Sequence, residues 1–404
     1  MRTVFAGILV PFVAVSAVAC SSARKPHEVS PALETIVSGK VLPNVEPDVW
    51  TDVRAFYTQR EHAPAWVDNR RPTSRAAAAI TALNTARRHG YSADDYGAKE
   101  LLAMSQEVEK IDKESPERLQ HNAGFDARLT AALLTFGRDV AIGRAKDRRW
   151  KSQRKAPDLV ATLTKIAGGD ATEWVDAVRP PHAEYEALAN ALEALHGQKE
   201  KGGWVSVPAV SKPGASGPAV AALRQRLSAG GYFKGDAAAS SSYDADVEAA
   251  AKSFQELHGI KATGIVDQQT LAALNVPLDT RMRQVALNLQ RWRWMPDDMG
   301  DRHFLINIPY FHVIAREHGK PVMDIRVIVG KVGNNTPLFS DEMETVVFSP
   351  YWNIPDSIAQ GETLPAIARD PAYLARQNIE IVRTSGGVVS ASDVDWSNPE
   401  ALKG

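Results

Sequence analysis

Residues 291–355 read RWRWMPDDMGDRHFLINIPYFHVIAREHGKPVMDIRVIVGKVGNNTPLFSDEMETVVFSPYWNIP. Apolar and β-branched residues fall in short runs, 304–308, 311–315, 325–329 and 345–348, with turn residues between them. This is the pattern of an antiparallel β unit. His318-Gly319-Lys320 closes one run and Pro321 opens the next, which predicts a hairpin with Gly319 at positive φ. What lies upstream reads as delivery and support for this sheet.

The chain has 404 residues, enough for two or three domains. Its 44% hydrophobic and 24% charged residues are a globular composition. With 47 Lys+Arg against 48 Asp+Glu there is no basic field for nucleic acid, and that class of partner falls away. Cys20 stands alone, so the sequence holds no intramolecular disulfide and no cysteine-rich metal site.

Met1-Arg2 and the apolar run 4–18 read as an export signal, too short for a comfortable permanent span. Two readings of its end stand side by side. In one, Ala17-Val18-Ala19 is an ordinary A-x-A cleavage site and Cys20 is incidental. In the other, Ala17-Val18-Ala19-Cys20-Ser21-Ser22 resembles a bacterial lipobox, although Ala17 stands where Leu is usual. That resemblance implies a diacylglyceryl anchor on Cys20 as the new amino terminus, with Ser21 sorting the protein to the outer membrane. Each buried acyl CH₂ contributes about 0.8 kcal/mol, so a diacyl anchor holds firmly. Residues 1–20 are thus expected to be a signal and 21–47, polar and proline-containing, a flexible tether.

From residue 48 to 203 the period is helical. Ala76, Ala79, Ile80, Leu83 and Ala86 form one stripe, ended by His89-Gly90. Phe125, Leu129, Ala132, Leu133, Phe136 and Val140 form a second, closed by Gly143, and Tyr185, Leu188, Leu192 and Leu195 a third. A helical scaffold bundle follows. Arg87, Arg88, Arg144, Arg148 and Arg149 read as a solvated face, and the scattered His62, His89, His121, His182 and His196 as caps or surface residues rather than ligands.

A Pro/Gly/Ser-rich linker, 207–217, precedes three short helical patterns over 216–277. Asp267 is placed to cap the last of them. Leu223-Arg224-Gln225-Arg226-Leu227, Gly231-Tyr232, Ser253-Phe254-Gln255, Gly259-Ile260 and Gly264-Ile265-Val266-Asp267 with Thr270 and Leu274 resemble the peptidoglycan-binding domain 1 family. The resemblance implies a wall-docking unit but names no contact residue; the plainer alternative is a helical spacer without a ligand.

Met282, Val285, Ala286, Leu289 and Trp292 share one face of a helix that joins this module to the β unit. The motifs 288–294, Ile306-Asn307-Ile308-Pro309, Val327-Ile328-Val329-Gly330, Thr336-Pro337 and 349–355 resemble the large, multidomain branch of the L,D-transpeptidases. Tyr57, Pro64-Ala65-Trp66, Gly90-Tyr91 and Asp94-Asp95-Tyr96 are similar to that branch's scaffold domain. The implied fold is multidomain α+β: a helical scaffold, a three-helix module, and over 278–404 the beginning of an antiparallel β catalytic domain. A substrate-capping insertion is implied from about residue 356, through Leu364-Pro365, Asp370-Pro371-Ala372-Tyr373-Leu374 and Val394-Asp395-Trp396.

The resemblance implies peptidoglycan stem peptides and glycan as partners, an envelope location, no cofactor and no metal. It also implies a cysteine thiolate, a histidine base and backbone oxyanion donors on a Ser-His-Gly-Cys motif. These residues contain no such motif. The expectation is a chain cut short before its nucleophile and inactive as it stands, with an unpaired sheet edge and exposed apolar surface. The alternative is a non-catalytic, peptidoglycan-binding envelope lipoprotein. Asp297, Asp298 and Asp301 read as a solvated turn, and His312 and His318 lack metal-site spacing. No catalytic residue is therefore assigned, and the one site residue is Cys20, the lipid anchor.

Overall fold

The structure is a computed structural model that describes residues 27–68, 70–145, 154–370, 372–383 and 385–396. It divides into two compact units, residues 1–338 and 339–404. Helix α1 (Ser30–Ser38) lies inside the expected tether. Val29, Leu33 and Val37 recur every four residues, form one stripe, and are buried. Residues 30–38 are therefore part of the scaffold and not a flexible linker.

Helices α2 (Pro47–Gln59), α3 (Ser74–Asn84), α4 (Ala98–Glu107), α6 (Leu159–Ala167) and α7 (Trp174–Val178) pack with α1 around α5 (Pro116–Ile142). Ser115 caps the long helix at its start, accepting from Arg118 N, and Pro116 suits its first turn. A two-stranded ribbon, β1 (Val67–Asp68) and β2 (Arg71–Pro72), follows α2. The core holds Trp50, Trp66, Trp174, Phe56, Phe125 and Phe136, each fully buried. Burying one such side chain contributes roughly 1.5–3 kcal/mol.

Most polar groups of this core are matched, with Trp50 Nε1 and the Asn122 amide left without a hydrogen-bond partner among the described residues. The buried Asp126 carboxylate accepts from Tyr57 Oη at 2.6 Å, Ala65 N at 3.0 Å and Trp66 N at 2.8 Å. Burial raises the pKa of Asp126, and those three hydrogen bonds work against the rise. Trp66 Nε1 donates to Thr130 Oγ1 at 2.9 Å and Trp174 Nε1 to Leu133 O at 3.0 Å. Tyr57 and Pro64-Ala65-Trp66 thus serve to pin one turn onto α5. Tyr91 and Tyr96 do the same at its other end, through the Asp139 carbonyl (3.0 Å) and carboxylate (2.9 Å).

The module consists of α9 (Pro218–Ala229), α10 (Ala245–Leu257) and α11 (Gln268–Leu274), following α8 (Ala183–Glu200). Val220, Leu223, Leu227, Phe254, Val266 and Leu274 form its core. Gln255, buried beneath them, donates to Ile265 O at 2.8 Å and Thr270 Oγ1 at 3.0 Å and accepts from Gly264 N at 2.9 Å. Asp267 caps α11 as expected, accepting from Thr270 N at 2.8 Å. The linker is not wholly separate: Val207 joins this core and Ser211 pairs with Val266.

Helix α12 (Leu278–Trp292) lies along α8. Gly90, at φ +84° in the turn after α3, lets α12 approach that turn closely, because a Cβ there would sit 3.0 Å from that of Ala286. The next residues form an antiparallel sheet in the order β3 (Arg302–Asn307), β4 (His312–Glu317), β5 (Lys320–Arg326). Its register sets Phe304 opposite Ala315 and Val313 opposite Ile325, with a bulge at Ala315/Arg316. The expected hairpin is present: His318 (φ 50°) and Gly319 (φ 75°) turn β4 into β5. The expected strands at 327–329 and 345–348 are not. Strand residues need a neighbouring strand to bond: Val327 N still donates to Phe311 O at 2.8 Å, but no strand ladder among the described residues includes 328–329 or 345–348.

The second unit holds α13 (Asp356–Ile358), a π-helical turn (Ala359–Thr363), α14 (Leu364–Arg369), α15 (Tyr373–Gln377) and a small ribbon, β6 (Ile381–Val382) with β7 (Val388–Val389). Ile367 and Leu374 are its buried apolar residues. The whole is multidomain α+β. No helix among the described residues is long and apolar enough to cross a membrane.

Candidate functional site

Opposed residues of an antiparallel pair point to one side. Phe304 and Ile306 therefore share a face with Val313, Ala315, Met323 and Ile325. All six are apolar, yet Phe304, Ile306 and Ile325 are each about half exposed, at 49%, 56% and 48%. In a sandwich an apolar face of this kind is covered by a second sheet; here it is half exposed. The exposed apolar surface expected of this part is present.

The opposite face carries His312, Ile314, Arg316 and Asp324. Arg316 Nη2 pairs with Glu184 of α8 at 2.5 Å, fixing the sheet beside the scaffold. His312 Nδ1 bonds the Asp324 carboxylate across the hairpin at 2.5 Å, and Tyr310 stacks on its ring at 4.3 Å. A carboxylate on Nδ1 sets the tautomer and leaves Nε2 as an acceptor, the arrangement of an oriented base. Within the described residues the pair ties β4 to β5 as a cross-strand clamp.

The sheet is fixed to the scaffold through two buried guanidinium groups. Arg293 donates from Nε to Val140 O (3.2 Å) and from Nη2 to His89 O (2.7 Å) and Tyr185 Oη (3.0 Å). Its charge lies over the Tyr91 ring, 4.9 Å from the centroid. Arg154 bonds Ala141 O, Val178 O and Arg179 O, and pairs with Asp297 at 2.5 Å. Asp297, half exposed in its turn as expected, also anchors that turn to the scaffold. Nothing in the sequence marks which of Arg291 and Arg293 turns inward; alternation of Arg and Trp over 291–294 is the signal that one side is packed.

Two of the histidines expected to be caps or surface residues are buried, His182 while standing at the N-cap position of α8. His89 is buried, stacked on Tyr185, with Nδ1 2.9 Å from that hydroxyl. Burial, then the charges of Arg293, Arg88 and Arg179, brings its pKa down to about 3. His182 is buried against Trp292. Nor is the arginine face merely solvated. Arg87 pairs with Glu193 and Glu200, Arg88 with Glu186, and Arg144 with Asp139 and Asp95 beneath Tyr91. Arg148, Arg149 and Cys20 lie outside the described residues. Among the described residues no three His, Cys, Asp or Glu side chains gather as a metal site.

A helical scaffold, a three-helix module and a β unit fixed to the scaffold define a modular protein whose sheet is positioned by the domains before it. Comparison with known proteins shows what each part is similar to. Residues 51–192 match the family described as "Scaffold domain", 216–274 "Putative peptidoglycan binding domain" and 301–401 "L,D-transpeptidase catalytic domain". A "Putative L,D-transpeptidase" of Haemophilus influenzae is 31% identical over 116 residues, 29% of this chain and 23% of that protein. The three matches stand in the expected order, scaffold, peptidoglycan-binding module and catalytic-domain region, and the chain spans about a quarter of the length of that relative.

Proposed function

We propose that this chain is part of a peptidoglycan L,D-transpeptidase that docks on the wall through its module and presents the β unit to stem peptides. The observation that carries the reading is the ordered series of scaffold, peptidoglycan-binding and catalytic-domain matches. The chemistry of such an enzyme is acyl transfer. A cysteine thiolate adds to the carbonyl of the third stem residue, the bond to the terminal D-alanine breaks, and D-alanine leaves with a proton. An amine then attacks the thioester, forms the new amide and returns the thiol. Within these 404 residues the sole thiol is Cys20, remote in sequence from the sheet. The 404-residue chain by itself is therefore expected to transfer nothing. Incubation with tetrapeptide stems should yield no tripeptide-linked crosslinks, and any crosslink formed would overturn this point.

The wall-binding part is tested by pelleting with purified sacculi. The intact chain should sediment, and removal of residues 216–277 should abolish it; equal pelleting without the module would remove its assigned role. A second reading, a non-catalytic wall-binding lipoprotein of the periplasmic face, is favoured by Cys20 being the one cysteine and following Ala17-Val18-Ala19. Palmitate labelling that disappears in Cys20→Ser supports the lipid anchor. Labelling that persists in the variant, or never occurs, refutes it.

A further inference from the structure

The module contains positive charge that its own core leaves uncompensated. Arg226, near the end of α9, is only 3% exposed. Its guanidinium lies on the Trp204 ring, 3.8 Å from the centroid, and Nε donates to Leu274 O at 2.8 Å. Nη1 is buried with no hydrogen-bond partner among the described residues. Arg281, in the first turns of α12, faces the same place, donating from Nη2 to Ala273 O at 3.3 Å and from Nη1 to Gln284 at 3.0 Å. Neither guanidinium has a carboxylate partner among the described residues.

Beside these charges stand two groups with a free polar atom. His258 stacks on Phe254 at 3.9 Å and commits Nδ1 to Phe254 O at 2.8 Å, which leaves Nε2. Tyr232 packs edge-on to Phe254 at 5.2 Å and lies 6.1 Å from the His258 ring; its hydroxyl has no partner among the described residues. Burial lowers the pKa of His258, and Arg281 and Arg226 lower it further. Burial likewise brings Arg226 down to about 10, with Arg281 adding to the fall.

A purely structural account has the two arginines capping the last carbonyls of α11. Capping uses one nitrogen of each. It does not explain why a guanidinium with five donors is buried on a single hydrogen bond beside a second cation. Such a site gains most from an anion, and its geometry is open on the Tyr232, His258 and Arg281 side, where all three residues are half-buried.

We propose that Tyr232, His258 and Arg281, backed by the buried charge of Arg226, form a carboxylate subsite through which the module holds a peptidoglycan stem peptide. The proposal rests on the wall-binding reading and adds the chemical group recognised. Stem peptides carry free carboxylates, whereas in the intact wall the glycan's amino groups are acetylated and its lactyl carboxyls are tied up as amides to the stems. Arg281 supplies charge-assisted donors, the Tyr232 hydroxyl a third, and His258 gains a proton-stabilising neighbour when the carboxylate arrives.

The test uses the 404-residue chain, a soluble tetrapeptide stem, its C-terminal amide, a neutral N-acetylglucosamine oligosaccharide as the glycan, and NMR titration of the His258 ring. The tetrapeptide should bind, raising the His258 pKa, while amide and glycan bind at least about tenfold more weakly. Arg281→Gln and Tyr232→Phe should each weaken the tetrapeptide by about tenfold. Tyr232→Phe removes one hydroxyl and keeps the ring packing, so it decides the matter even if Arg281→Gln loosens the module. An unmoved His258 with undiminished binding in Tyr232→Phe overturns the subsite. If the intact chain still pellets with sacculi in that case, the wall-binding reading survives alone. If the chain does not pellet and His258 stays silent, both fall.

Discussion

The scaffold and the β unit are made of similar side chains and treat them oppositely. Trp50, Trp66 and Trp174 are at most 1% exposed, whereas Phe348, Tyr351 and Trp352 are 89%, 89% and 69% exposed. The contrast teaches that burial belongs to layers and not to residues. Around α5 every apolar stripe meets another helix, and the polar edges of Trp66 and Trp174 find acceptors. The sheet of β3, β4 and β5 has one side against the scaffold through Arg316 and an apolar side half exposed. Large apolar surfaces of that kind mark places where packing or binding is still available.

The sharpest way to break the contrast is at Arg293, where the chain entering the sheet is locked into the scaffold. Arg293→Ala should cost about 4 kcal/mol, since it strands Val140 O and His89 O in a buried joint and removes the cation from Tyr91 and Tyr185. Urea denaturation of the variant checks it; a loss below about 1 kcal/mol would show that the joint contributes little. Gly137→Ala is next, at about 3 kcal/mol, because a Cβ there would overlap the buried Trp174 ring. Helix propensity favours Ala over Gly by roughly 1 kcal/mol, so a stabilised variant would mean that the Trp174 side of α5 is loosely packed.

Much of this was legible beforehand. Helical stripes ending at Gly90 and Gly143 located α3 and α5, and Asp267 and Gly319 carried their own local geometry into the structure. What was hidden depends on partners distant in sequence. Val29, Leu33 and Val37 look like part of a polar tether until α5 covers them. His89 resembles any helix-terminal histidine, yet Tyr185 and Arg293, roughly 100 and 200 positions on, close over it. The reverse holds at 345–348, where β-forming residues lack a pairing strand among the described residues. Local propensity cannot supply a neighbour.

His89 turns the scaffold's dense packing into pH dependence. Its pKa falls from 6.5 to about 3 on folding, chiefly through burial, so the folded imidazole stays neutral while the unfolded one takes a proton below about 6.5. The stability it contributes is present above pH 6.5 and is lost as pH falls through the window toward 3. Between pH 7 and 4.5 the loss is about 3 kcal/mol. The measurement is the difference in pH slope between the native chain and His89→Gln. Equal slopes would mean that His89 reaches solvent in the folded scaffold.

The smallest effect is expected where the composition looks most like a core. Phe348→Ser replaces a large aromatic residue that is 89% exposed, and a side chain in water has no burial to lose. Stability should change by no more than about 0.5 kcal/mol, as for other surface substitutions. Solubility should rise, because apolar surface available for association is reduced. Urea titration and light scattering on the 404-residue chain measure the two quantities separately. A destabilisation of 2 kcal/mol or more, the size typical of a buried phenylalanine, would show that Phe348 is covered in solution. The contrast between scaffold and β unit would then disappear at the residue where it is widest.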